Sequence, residues 1–160
     1  MKHLWKNKIN RFIELCQKNR VRMVMVGGGA VNFHGYQRHS ADVDFWIETT
    51  DANFQNLVSV FKEMNYDIDD FPDEVKNKQK NISVKFSPSD LNLELITNFS
   101  SFKTFNEAYK NSEIVEVDGH KLLKWRVLSY DDLIESKLRA RRPKDLLDVQ
   151  QLKEIKNTKN

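Results

Sequence analysis

Val26-Gly27-Gly28-Gly29-Ala30-Val31-Asn32-Phe33-His34-Gly35, followed by Asp42-Val43-Asp44, is the stretch on which the reading of this chain turns. It grows out of an apolar run, Met23-Val24-Met25-Val26, that stops at three glycines, the pattern of a short buried strand closed by a turn. Ala30 to His34 then reads as a short helix that begins near Gly29 and stops at Gly35. Glycines straight after a strand let backbone N–H groups approach an anion, and the helix start offers it positive charge. A tight turn alone would also use them, so Gly27 and Gly28 carry both readings.

Asp42 and Asp44 stand two apart in a second strand, so both side chains project from one face. Two neighbouring carboxylates repel, and close to a core they are costly unless something positive lies between them. A divalent cation supplies that charge, because carboxylate oxygens are what Mg²⁺ prefers. An Asp-x-Asp by itself also fits an edge strand with a solvated face. Here Val43, Phe45 and Ile47 make the opposite face apolar, and the pair follows a strand–turn–helix unit.

Working outward, Trp5 to Lys18 has helical spacing at Trp5, Ile9, Phe12, Ile13 and Cys16. Phe54 to Met64 is amphipathic, with Asp51 placed as its N-cap, and residues 65–80 read as a polar, irregular, mobile loop. Ile82 to Phe86 and Leu91 to Ile96 read as antiparallel strands around Ser87-Pro88-Ser89-Asp90. The second of these carries Glu94 opposite Leu91, Leu93 and Leu95, although Asn92 on the same face also suits a solvent-facing Glu. Ile114 to Trp125 holds Asp118-Gly119, a hairpin-turn dipeptide. Two helices close the chain, from Ser129 or Asp131 to about Arg141 and from near Pro143 to about Ile155. The expectation is one α+β domain over residues 1–160, with a core of about 20–125 and a helical segment of about 129–157.

Bulk properties bound the function. With 160 residues and 39% hydrophobic content, including ten Phe and three Trp, the chain can build a core without disulfides. Its one cysteine, Cys16, falls on an apolar helical face and reads as a small buried hydrophobe. The basic N-terminus has no apolar run behind it, and no stretch reaches the roughly 18 apolar residues of a membrane span, so a cytoplasmic address is expected. A net charge of +3 gives no strong field for nucleic acid, but Lys137, Arg139, Arg141, Arg142 and Lys144 crowd one segment.

One rival motif is set aside. Gly27-x-Gly29 with Glu48 downstream suggests a dinucleotide-binding fingerprint, yet Asn32 stands where its third glycine belongs and the acidic pair is left unexplained.

Gly27-Gly28, thirteen intervening residues and Asp42-Val43-Asp44, with Glu94 in Leu93-Glu94-Leu95, resemble the signature of the DNA polymerase β-type nucleotidyltransferase superfamily. Within it, Val26 to Gly35 with Arg38, Ser40 and the acidic pair resembles the bacterial AbiEii/AbiGii toxin-type nucleotidyltransferases. So does Asp132 to Lys137 followed by Arg142-Pro143-Lys144-Asp145-Leu146-Leu147-Asp148. Ser40, Gly29 and Glu94 depart from the residues usual there, and the large C-terminal helical domain of many relatives has no counterpart.

The resemblance implies a mixed central sheet flanked by helices, with C-terminal helices. It implies a metal site of Asp42, Asp44 and Glu94 holding Mg²⁺ or Mn²⁺, and transfer of a nucleoside monophosphate from a nucleoside triphosphate to a hydroxyl of RNA, protein or a small molecule. Gly27, Gly28, Arg38, Ser40 and Lys137 are then the nucleotide- and phosphate-binding set. A non-catalytic regulatory module, such as a component of a toxin–antitoxin pair with a partner protein, is the alternative. A nucleic-acid-binding domain built on residues 137–144 is a third class, disfavoured because no aromatic residues interleave with the cations. Asp145 and Asp148 read as caps or salt-bridge partners, His34 as a residue that packs or hydrogen-bonds locally, and Arg38 as an orienter of the acidic pair or a phosphate contact.

Overall fold

The computed structural model describes residues 7–40, 42–86 and 91–159. The elements run α1 (Asn7–Lys18), β1 (Met23–Val26), α2 (Gly27–Phe33), β2 (Asp42–Ile47), α3 (Asp51–Glu63), α4 (Asp73–Lys76) and β3 (Ile82–Val84). They continue with β4 (Asn92–Ile96), α5 (Phe105–Asn111), β5 (Glu113–Glu116), β6 (Lys124–Val127), α6 (Tyr130–Ala140) and α7 (Pro143–Lys159). The strands form one six-stranded mixed sheet in the order β3-β4-β2-β1-β6-β5. β2–β4 and β1–β6 are parallel and the other three pairings antiparallel. The class is α+β, a mixed sheet flanked by helices and followed by C-terminal helices, as expected. Among the described residues no helix is long and apolar enough to cross a membrane.

Alternation sets the core. Met25, Val43, Phe45, Leu93, Leu95 and Val127 are buried, and Phe12, Ile13, Phe54, Leu57 and Phe61 of α1 and α3 join them in one apolar cluster. Phe12 and Phe61 meet with ring centroids 5.7 Å apart, tying the two helices together. Buried Asn53 at the start of α3 accepts from the Arg22 amide at 2.8 Å and donates to the carbonyls of Arg22 and Glu48. It thereby satisfies three main-chain groups where β1 begins and β2 ends.

Several expectations change. The N-cap of α3 is Thr50, whose hydroxyl accepts from the Asn53 amide, and not Asp51, which lies in the first turn. Residues 65–80 are not a plain loop: they carry α4, and Phe71 and Val75 are buried, with the Phe71 ring tilted against Phe54 and edge-on to Phe61. Tertiary burial overrides the polar composition there. α5 adds to the expected elements; its start is a capping box of Thr104 and Glu107, the pattern Thr-x-x-Glu. α2 starts at Gly27 and α7 runs to Lys159. The turn expected at Ser87–Asp90, and Trp5 at the expected start of α1, lie outside the described residues, while β3 and β4 do pair antiparallel.

Candidate active site

β2 and β4 place the acidic residues. In their parallel register Asp44 pairs with Glu94 and Asp42 with Asn92, so Glu94 stands beside Asp44 on one face at the roughly 4.8 Å spacing of neighbouring strands. The intervening Val43, Phe45, Leu93 and Leu95 are buried on the other face, which holds Asp42, Asp44 and Glu94 half-buried on theirs. Burial, and after it the charges of Asp42 and Glu94, push the Asp44 carboxyl up to about 6, with Lys144 and Lys137 pulling the other way. The trio shares a face without meeting at a point. Among the described residues no three His, Cys, Asp or Glu side chains are close enough, as placed, to hold an ion.

The glycines are required by packing. Gly27 has φ +63°, and a Cβ there would run into the Asp44 carboxylate. A Cβ on Gly28 would lie 2.6 Å from both Cβ and Oγ of Ser40. The Ser40 hydroxyl in turn donates to the Asp42 carbonyl at 3.0 Å and accepts from the Asp42 amide at 3.4 Å. Gly27 and Gly28 therefore let the start of α2 close onto the strand that carries the carboxylates, and Ser40 fastens the first residue of that strand.

The cations come from both ends of the chain. Arg38 makes a two-pronged pair with Asp148, Nε to Oδ1 at 2.9 Å and Nη2 to Oδ2 at 3.0 Å. The buried Lys137 lies between Asp148 at 2.9 Å and Asp145 at 3.4 Å, and Arg142 grips Asp145 at 2.7 Å. Burial pushes the Asp145 carboxyl up, but the hydrogen bonds from Arg142 and the Lys137 charge outweigh it and hold it below the usual range. A cleft of about 430 Å³ is walled by Gly27, Gly28, Arg38, Ser40, Asp42, Asp44 and Lys137, together with Asn98 to Ser100 and Asp145. Glu94 is not on its wall and stands on the strand beyond Asp44. A second, more apolar cavity of about 330 Å³ lies across Arg38, Ser40 and Asp42 and is floored by Met25, Phe33, Val43 and Val127.

Residues 7–159 match a family described as nucleotidyltransferase of unknown function (DUF6036). The chain belongs to this family. No curated protein matches it. In this family member the sheet sets Asp42, Asp44 and Glu94 on one face, and the two C-terminal helices bring Lys137, Asp145 and Asp148 against the loop that holds Arg38. Asp145 and Asp148 take the salt-bridge roles read from their positions. His34 packs locally against Phe33, ring centroids 4.9 Å apart, and its Nε2 also donates to the Leu128 carbonyl at 2.7 Å, joining the end of α2 to the end of β6. Asn98 to Ser100 went unnoticed in the sequence. Their signal was their place just past β4, where a parallel strand delivers its loop to a site.

Proposed function

We propose that this nucleotidyltransferase-family chain moves a nucleoside monophosphate from a nucleoside triphosphate to a hydroxyl acceptor, with Mg²⁺ or Mn²⁺ held by Asp42, Asp44 and Glu94. The supporting observation is the register pairing of Asp44 with Glu94, with Asp42 on the same strand face and a cleft walled by Arg38 and Lys137 alongside.

The donor chemistry fits such an ion. All three side chains offer the hard oxygens that Mg²⁺ takes, and the Asp44 carboxyl at about 6 marks a place short of positive charge. The register sets Asp44 and Glu94 side by side, with Asp42 two residues along β2 on the same face. A bound divalent ion would supply charge neutralisation for in-line displacement at the triphosphate. Asp42 and Asp44 would hold an ion for the triphosphate, and Glu94 would complete the oxygen set for a second ion serving the hydroxyl acceptor. Gly27 and Gly28 bring backbone close to the phosphates, Arg38 and Lys137 face them, and Ser40 holds the start of β2 in the same wall.

The likeness to AbiEii/AbiGii toxin-type enzymes rests on the motif blocks at 26–44 and 132–148. It makes a non-catalytic nucleotide-binding component of a toxin–antitoxin pair the second reading. A mass-shift screen separates the two: the protein with each nucleoside triphosphate, Mg²⁺ and RNA, protein or small hydroxyl compounds as acceptors. Transfer should add one nucleoside monophosphate to one acceptor class and release pyrophosphate. Nucleotide binding without transfer to any acceptor would replace the enzymatic reading with the regulatory one.

A further inference from the structure

Asp148 does not line the cleft, yet two of the four cations on its wall, Arg38 and Lys137, lean on it. Its side chain is 2% exposed and receives Arg38 through Nε and Nη2, while Lys137 Nζ sits 2.9 Å from Oδ2. The planar guanidinium has three nitrogens, and the fork takes two of them. The third, Nη1, is turned toward Gly28, 3.7 Å from where a Cβ on that glycine would lie. Gly28 in turn packs on Ser40, which is bonded to the Asp42 backbone. One buried carboxylate on α7 thus sets the angle of Arg38, holds the Lys137 ammonium, and braces the loop that leads into β2.

We infer that Asp148 is a positioning residue for phosphate binding. It acts through Arg38 and Lys137, and it makes α7 part of the nucleotide site although α7 supplies only Lys144 and Asp145 to the cleft wall. This rests on the nucleotide reading of the cleft. A simple charge count gives the opposite expectation. Removing Asp148 leaves two cations with less negative charge around them, which should strengthen anion binding. If orientation dominates, removal weakens it, because Arg38 loses the fork that aims Nη1.

The test uses the full chain with Mg²⁺ and inorganic tripolyphosphate as the probe, by calorimetry, with urea unfolding of every variant. D148N, R38Q and R38K are compared with wild type and with the D148N/R38Q double variant. D148N is expected to bind about tenfold more weakly, R38Q likewise, and the double variant no worse than the weaker single one. R38K keeps the charge but cannot make the two-pronged contact, so it should fail like R38Q. Should D148N not fold, the two Arg38 substitutions decide alone, since that side chain is 22% exposed and tolerates change better. Tighter or unchanged binding in D148N, additive losses in the double variant, or full affinity in R38K would each overturn the inference while leaving the nucleotide reading intact. A wild type that binds no tripolyphosphate would overturn both.

Discussion

Asp44 and Glu94 are register partners on the parallel strands β2 and β4, fifty residues apart in sequence and side by side on one half-buried face. Two carboxylates in that position, with Asp42 next along the strand, repel one another. The repulsion adds to the cost of burying Asp44 and shows in its carboxyl, pushed up to about 6. An acidic face of this kind costs stability when no positive charge neutralises it, and the predictions begin there.

The first concerns pH. Asp44 titrates near 6 in the folded chain and near 3.8 when unfolded, so between those values the folded state holds a proton that the unfolded state has released. Metal-free stability should therefore fall as pH rises through that window and level off above about 6, by at most about 3 kcal/mol for this group. Asp44→Asn should remove the slope and be the more stable protein at pH 7. Urea unfolding from pH 4 to 7 with a chelator present checks this; parallel curves for the two proteins would refute it.

The second concerns the ion itself. Asp42 and Asp44 share a face through the strand period, so replacing both by Asn should abolish calorimetric Mn²⁺ binding while far-UV circular dichroism stays native. Unchanged affinity in the double variant would remove the metal site.

The third separates binding from chemistry. Glu94 lies beyond the cleft wall, behind Asp44, so Glu94→Gln should leave nucleotide affinity nearly unchanged. Transfer should drop by about 100-fold or more, the scale of a lost transition-state contact. Equal losses in affinity and turnover, or none in either, would contradict the role given to Glu94.

The fourth concerns Gly28. Any side chain there meets Ser40, so Gly28→Val should destabilise the fold by about 1–3 kcal/mol as well as weaken triphosphate binding. Combining it with Ser40→Gly should restore part of the stability by opening the contact. A Gly28→Val protein with wild-type urea midpoint would mean that the turn has room to spare.

The local grammar of the chain was enough for most of the elements and for one side of the site. Period-two alternation put Asp42 and Asp44 on one face of β2 and Glu94 on the polar face of β4. The glycine run marked the end of β1, and Ser129 and Pro143 marked the last two helices. These signals need only neighbours within a few residues.

Long-range packing decided the rest. Whether Glu94 or Asn92 stands beside Asp44 depends on the register between strands separated by a helix, a short helical segment and β3. The burial of Phe71 and Val75 depends on α3 being there to receive them. Asp148 meets Arg38 across 110 positions of sequence, where no periodicity connects them. Residue types determined which groups were able to bind an ion or a phosphate. Tertiary structure decided which of them face one another, because a salt bridge or a register pair is a property of two distant segments held together by a core that neither segment specifies alone.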